Sequence, residues 1–457
     1  MSEAKTKKMS GKELLTAVLR HEPAPAVPWV PYTGVHVAML KGYTATEVLT
    51  DADKLFESLL AARDLYDPDG MPVVFDLQIE AEILGCDLLW ADKNPPSVAT
   101  HPLSDHTEVP SKVIERKDGR LPVILDVMSR MKAAVGDTTA LYGLVCGPLT
   151  LASHLRGTEL FMDMIRRPDS LHALVAYCTQ TAMRMAEFYI EAGMDVIAVV
   201  DPLISQISPK HFDQFFAKAY TEIFAHIRSH EAFSSFFVCG DATKNIEVMC
   251  KTRPDSIAVD ENINMVSAKK ITDQYNITIA GNIPLTTKML LGTQQDNMKF
   301  VVDMLDTLDH HNFILAPGCD MPFDVPVENV VGVVQAVRDA ESTKQMLANY
   351  EAPEIDTSSV VIPDYTNLEK PLVEVFTLDS DTCAACTYMM GAARRVEEEL
   401  DRRVDVVEYK FTKPENVARI VKMGITNLPA IFVNGELKYS SIIPSNEEFV
   451  EVVKELL

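Results

Sequence analysis

A chain of 457 residues, 47% of them hydrophobic, can bury one large core or several smaller ones, and about two or three domains is the expectation from length. Its formal net charge of -24 at pH 7 argues against nucleic-acid and anionic-membrane partners, which would be repelled where no basic patch intervenes, and the sequence shows none. The eight cysteines are too sparse for a disulfide scaffold, no run of about 18 apolar residues exists to cross a bilayer, and the N-terminal MSEAKTKKMSGKELL lacks the apolar core of a secretory signal, so a reducing cytoplasm is the expected setting.

Eight apolar, β-type runs follow one another up to about residue 316: VPWVPYTG (27–34), PVVFD (72–76), ALYGLVC (140–146), DVIAVVD (195–201), SFFVC (235–239), SIAVD (256–260), ITIAG (277–281) and NFILA (312–316). Helical text fills the gaps, including TATEVLTDADKLFESLLAARDLY and SPKHFDQFFAKAYTEIFAHIRSH. Strands that are apolar throughout, each followed by a helix, predict a parallel sheet covered on both faces. Eight such units predict a (β/α)8 TIM-type barrel over residues 1–350. The competing open, doubly wound sheet would often carry a glycine-rich first turn, which is missing.

From 351 to 370 the text, EAPEIDTSSVVIPDYTNLEK, has prolines, serines and acids and no sustained period, as a linker does. Residues 371–457 then read as a smaller β-α-β-α-β-β-α domain, with Asn434-Gly435 between two apolar runs as a two-residue hairpin turn.

A barrel of this kind presents its site where the strands end. Those ends carry Asp76, Cys146, Asp201, Cys239, Asp260 with Glu261, Asn282 and, just past the last run, Cys319. Thiolates and a carboxylate from non-adjacent strands are a donor set for Zn2+ with a position left open for substrate. Cysteine is also one of the most commonly buried residue types, and Cys86, Cys178 and Cys250, which fall in helical or loop text, read as core. Cys239 in VCGD and Cys319 in APGCDMP differ in standing beside glycine, where the chain can turn and expose the thiol. Asp76 and Asp201 serve equally well as substrate contacts or as helix caps.

The segments YDPDGMPVVFDLQIEAEILGCDLLW, GLVCGPLTLASHL, EAGMDVIAVVDPLIS, VDENIN, AGNIP and FILAPGCDMPFDVPVENV together resemble the uroporphyrinogen decarboxylase superfamily, and within it the zinc-dependent, corrinoid-linked methyltransferases. The resemblance implies metal ligands at Cys239, Glu261 and Cys319. The histidine that this branch places two residues before the first cysteine is Phe237 here, so either a fourth ligand comes from Cys146, Asp241, His36 or the substrate, or the metal is lost. It further implies a corrinoid on a separate partner protein, and His36, Asp76, Asp201 and Asn282 as substrate-orienting residues. A porphyrinogen decarboxylase is the poorer reading: a substrate rich in carboxylates needs arginine or lysine to receive it, and residues 21–40, HEPAPAVPWVPYTGVHVAML, have neither.

In the small domain DSDTCAACTYMM puts Cys383 and Cys386 at a strand-to-helix turn, where a helix N-terminus favours a thiolate that attacks a disulfide while the second cysteine resolves it. The domain resembles the thioredoxin and glutaredoxin fold, which implies a cis-proline at Pro429 facing the cysteine pair. Two functions follow as expectations. One is a methyltransferase moving a methyl group between a small methylated compound or thiol and a corrinoid protein, with a dithiol redox domain attached. The other is a barrel without catalysis that serves as a docking platform for the redox carrier.

Overall fold

The computed structural model describes residues 9–351, 356–377, 380, 384–425, 428–440, 443–444 and 446–457. Among these, seven strands form one parallel sheet in chain order: β1 (Gly70–Val74), β2 (Ala140–Cys146), β3 (Val196–Val200), β4 (Phe233–Val238), β5 (Ser256–Val259), β6 (Thr278–Ile283) and β7 (Phe313–Pro317). Their unbroken apolar text follows from burial on both faces. Val196, Ala198 and Val200 of β3 join an inner cluster with Tyr142, Leu144, Phe237, Ala258, Ala280 and Ala316. The alternate Ile197 and Val199 join the outer core beneath the helices, as the two-residue period of a strand demands. Among the covering helices are α1 (Pro148–Arg156), α2 (Pro168–Glu191) and α3 (Ala217–Ser229).

The first expected strand is the exception. Residues 28–30 make a single bridge, Trp29 to Leu315, in which Leu315 N–H donates to Pro28 and Val30 N–H to Leu315. On its other side the Trp29 carbonyl accepts from Asp69 at 2.9 Å. This short segment lies between β7 and the start of β1 and closes the ring. It cannot extend into a ladder because Pro28 and Pro31 have no N–H to donate. Fully buried Trp29 is fixed there by Asp69, whose carboxylate accepts from the Trp29 N–H at 2.7 Å and from Arg338 at 2.8 Å. The two long helical stretches each break once. Asp51 ends one helix and caps the next, accepting from Asp53 and Lys54 N–H, and Phe216 separates Pro209–Phe215 from α3.

The second unit has four strands, β8 (Leu372–Thr377), β9 (Asp405–Lys410), β10 (Ala430–Val433) and β11 (Glu436–Ser440), in the order β9-β8-β10-β11. The β8–β9 pair is parallel and the other two are antiparallel. Helices α4 (Ala384–Glu399) and α5 (Pro414–Lys422) belong to this unit. Asn434 and Gly435 both have positive φ, 47° and 78°, the backbone of a tight hairpin turn. The Leu428–Pro429 peptide is cis.

The text between the units is held to the small domain. Lys422 donates to the carbonyls of Thr357 and Val360, Arg419 to that of Val361, and the Tyr365 hydroxyl to Glu374 at 2.6 Å. Among the described residues no helix is long and apolar enough to cross a membrane.

Candidate active site at the barrel mouth

A cavity of about 510 Å3 lies over the C-terminal ends of the strands, and both units wall it. The barrel contributes Cys239, Glu261 and Cys319, and the small domain contributes Cys386, Phe411 and Pro429. That volume suits a small organic molecule.

Cys239 follows β4 and is followed by Gly240 at φ 77°. A Cβ on Gly240 would lie 3.0 Å from Ser205 Oγ, so glycine meets both the left-handed backbone and the close approach. Cys319 follows Gly318, where a Cβ would come within 2.7 Å of the Glu261 backbone nitrogen. The missing side chain is what lets the β5 and β7 ends lie against each other, bringing Glu261 beside the cysteine segment.

The Cys239 thiol is the strongest influence on Cys319 and pulls it toward ionisation, but burial and the nearby Asp260 and Asp320 outweigh it and leave the thiol above its ordinary value. Glu261 opens onto the cavity, yet enclosing protein, and then the charge of Asp260, pushes its carboxyl up to about 8. Asp320 is raised well above the usual carboxylate range by burial and by Asp76. Its Oδ1 has no hydrogen-bond partner and sits so close over Gly34 that a Cβ there would lie 1.7 Å away.

Beneath the thiols lies an aromatic floor. Phe237, 1% exposed, packs 4.7 Å from Tyr32 and 5.5 Å, edge-on, from Phe75, centroid to centroid. Burial holds the Tyr32 hydroxyl well above its ordinary value, with Tyr142, Cys319 and Cys239 adding to it.

Several expected site residues have other employment, and none of them lines the cavity. His36 is fully buried, with Nδ1 against the Phe323 carbonyl at 2.9 Å and Nε2 against the Tyr66 hydroxyl at 2.7 Å. Both ring nitrogens have hydrogen-bond partners within the barrel. Asp76 accepts from Arg120 at 2.6 Å and from Gln78 N–H. Asp201 accepts from the N–H groups of Leu149 and Thr150, from the Thr150 hydroxyl and from Tyr220, so it caps α1 from a neighbouring strand end. Asn282 donates to the carbonyls of Asp260 and Ile263, holding the loop after β5. Cys146 is fully buried, and Asp241 accepts from the Thr243 N–H and hydroxyl. Cys383 lies outside the described residues.

Cys239, Glu261 and Cys319 share the cavity, but among the described residues they do not form a trio with all ligand atoms within 4.8 Å. The group that does is Glu187 on α2, His226 on α3 and His230 just past the end of α3, away from the cavity wall. There His226 already pairs with Glu187 at 3.1 Å. Sequence reasoning missed Asp320, although it adjoins Cys319, and, while it named Cys386 and Pro429 within the small domain, it did not bring them to the barrel's cavity.

The uroporphyrinogen decarboxylase (URO-D) description matches residues 10–340, and a thioredoxin domain matches residues 372–454. The methylcobamide:CoM methyltransferase MtbA of Methanosarcina acetivorans is 26% identical over 336 residues, covering 72% of this chain and 97% of that one. The methylcobamide:CoM methyltransferase MtaA of Methanosarcina barkeri is 28% identical over 335 residues, 71% of this chain and 96% of that one. A solved methyltransferase from Methanosarcina mazei superposes with a TM-score of 0.66 at 24% identity, covering 72% of this chain and 99% of its own. Fold, strand-end chemistry and these likenesses agree: the chain belongs to the uroporphyrinogen decarboxylase family and carries a thioredoxin domain at its C-terminal end.

Proposed function

We propose that the barrel is a zinc-dependent methyltransferase that moves a methyl group between a small methylated compound or thiol and a corrinoid carried by a separate protein, and that the attached domain is a dithiol redox module. The observation that carries this reading is that Cys239, Cys319 and Glu261 lie on the wall of one cavity over the strand ends. The names of the relatives, which act between a methylcobamide and a thiol, support it.

The residues present fit a zinc ion in donor chemistry. Two sulfurs and one carboxylate leave a position for a substrate sulfur or oxygen. Among the described lining residues, Asp260, Glu261 and Asp320 face one lysine, Lys93, whose ammonium is already engaged by Asp324 at 2.8 Å, so a cation is what the wall lacks. Cys239, Cys319 and Glu261 would be the residues that hold it. Zinc, when bound, holds a substrate thiol as its thiolate or improves an ether oxygen as a leaving group.

The chain's own residues do the rest. Phe237, Tyr32 and Phe75 make a dry floor, and Phe411 and Leu428 of the small domain contribute an apolar roof that excludes water. A corrinoid macrocycle is larger than the small-molecule cavity, so methyl exchange with it requires the small domain to lift from the mouth. The same acidic wall argues against decarboxylation of a polycarboxylate, which would meet Asp260, Glu261 and Asp320.

The test is metal analysis coupled to a methylcobalamin assay with candidate thiols and methoxy compounds. About one zinc per chain, lost with activity in Cys239→Ser, Cys319→Ser and Glu261→Gln, is the expected result. Zinc-loaded protein that transfers no methyl group would defeat the activity. A metal-free wild type would favour the docking-platform reading, to which Phe237 in a histidine's place lends its support.

A further inference from the structure

We propose that Glu187, His226 and His230 form a second metal site, which takes an exchangeable Zn2+ ion on the outer face of the barrel and clamps α3 to α2. One ring nitrogen of each histidine and one oxygen of Glu187 lie within 4.8 Å of one another. None of the three lines the cavity over the strand ends, and the inference does not rest on methyl transfer.

The group comes from one helical repeat and one helix pairing. His226 and His230 stand four residues apart, so the end of α3 brings both rings to one face, with centroids 4.6 Å apart. Glu187, near the end of α2, meets them from the neighbouring helix, its Oε1 3.1 Å from His226 Nε2. In a tetrahedral zinc centre with bonds of about 2.0–2.1 Å, neighbouring donor atoms stand about 3.3 Å apart. Imidazole and carboxylate are already near that spacing, and His230 is exposed, with room to make up the rest.

The surroundings orient the donors as a metal shell requires. The His226 backbone carbonyl accepts from His230 Nδ1 at 2.9 Å, which leaves that ring's lone pair on Nε2. Arg184 donates to Glu187 Oε2 at 3.0 Å, so the carboxylate is fixed through one oxygen while the other stays turned to His226. His226 Nε2 is shielded from solvent and, for all its closeness to Oε1, makes no aligned hydrogen bond among the described residues. A buried polar atom left so calls for a partner, and a cation between Nε2 and Oε1 supplies one. The last carbonyls of α3 and the net charge of -24 both favour a cation there.

Two imidazoles and a carboxylate suit zinc and leave its fourth position to water. With only three protein donors, one of them exposed, the ion exchanges with the medium. The site is therefore loaded by added zinc, apart from any ion held at the cavity.

The experiment is histidine footprinting of the full chain, stripped of metal with a chelator and then titrated with Zn2+ alone. Diethyl pyrocarbonate modifies a free imidazole nitrogen and spares a zinc-bound one, and peptide mass spectrometry reads each histidine separately. At zinc about tenfold above its Kd, modification of His230 is expected to slow roughly tenfold, while exposed His106 reacts at an unchanged rate. A His230 rate that zinc does not alter would overturn the proposal.

Glu187→Gln, which keeps both histidines, should raise the zinc needed for half-protection of His230 by about tenfold or more. Equal protection in the wild type and this variant would equally overturn it. Neither readout involves a methyl group or the cavity, so this inference and the methyltransferase reading can fail separately.

Discussion

Ser153 on the barrel helix α1 and Tyr388 on α4 of the thioredoxin domain share a hydrogen bond, and the tyrosine ring, half-buried, packs against the barrel core. This contact holds the small domain over the cavity. Tyr388→Phe removes one hydrogen bond, a loss of about 1 kcal/mol, and Tyr388→Ala removes the ring as well, about 3 kcal/mol or more. Hydrogen exchange along 148–156 and 202–206 should rise in that order. If the domain gates the mouth, methyl transfer from a corrinoid protein should rise with it, and a fall in rate would instead mean that the domain completes the site.

Phe237 and Cys239 lie two residues apart at the end of β4, so they point to the same face, toward the barrel interior. Phe237→His should place an imidazole beside the thiol pair. Zinc affinity, read by competition with a chromophoric chelator, is expected to rise about tenfold or more, since a further protein donor is added. The variant loses the aromatic packing on Tyr32 and Phe75, and an unfolding free energy lowered by roughly 2 kcal/mol is the companion expectation.

Asp76 and Asp201 act on the fold. Arg120, almost fully buried, donates to Asp76 at 2.6 Å and to Glu82 at 2.7 Å, and its guanidinium lies 4.9 Å over the Trp90 ring. Asp76→Ala leaves that cation half-paired and should cost about 3–5 kcal/mol in urea denaturation. Asp201→Ala should be comparable, because the α1 N-terminus and the Thr150 and Tyr220 hydroxyls lose their acceptor together. An unchanged denaturation midpoint with a raised KM would return either residue to substrate binding.

What could be read in the sequence was whatever depends on local pattern. The strands show as continuous apolar runs because inner and outer faces are both buried, as in Val196 to Val200. Cys239, Glu261 and Cys319 show as strand-end residues, two of them beside glycine. The reduction of the first run to one bridge was also available, in the spacing of Pro28 and Pro31. What stayed hidden depends on tertiary partners. Nothing near His36 in the chain announces that Phe323 and Tyr66 occupy its nitrogens, nor near Asp201 that it caps a helix begun some fifty residues earlier. The closing of one domain over the other's cavity has no periodicity or motif at all.

His36 gives the clearest pH dependence. Burial presses its pKa down to about 4, against the pull of the Phe323 and Pro322 carbonyls and of Asp324. The Phe323 carbonyl requires a proton on Nδ1, so Nε2 is left to accept from the Tyr66 hydroxyl, and the native ring is neutral. The unfolded chain, titrating near the ordinary histidine value, binds a proton that the folded chain refuses between about pH 6.5 and 4. Stability is therefore fully present above that window and is lost as pH falls through it, by about 2 kcal/mol at about pH 5 for this one group. Glu80 and Asp201, whose burial raises them to about 7 and about 6, work in the opposite sense, since their native forms take up protons first. The wild-type slope sums all of these, and a comparison separates them. His36→Gln should be less stable than wild type at neutral pH, because it breaks the Tyr66 and Phe323 arrangement, yet the gap between the two should narrow by about 2 kcal/mol at about pH 5 in urea denaturation. A gap that stays constant with pH would show that His36 carries its proton in the folded protein.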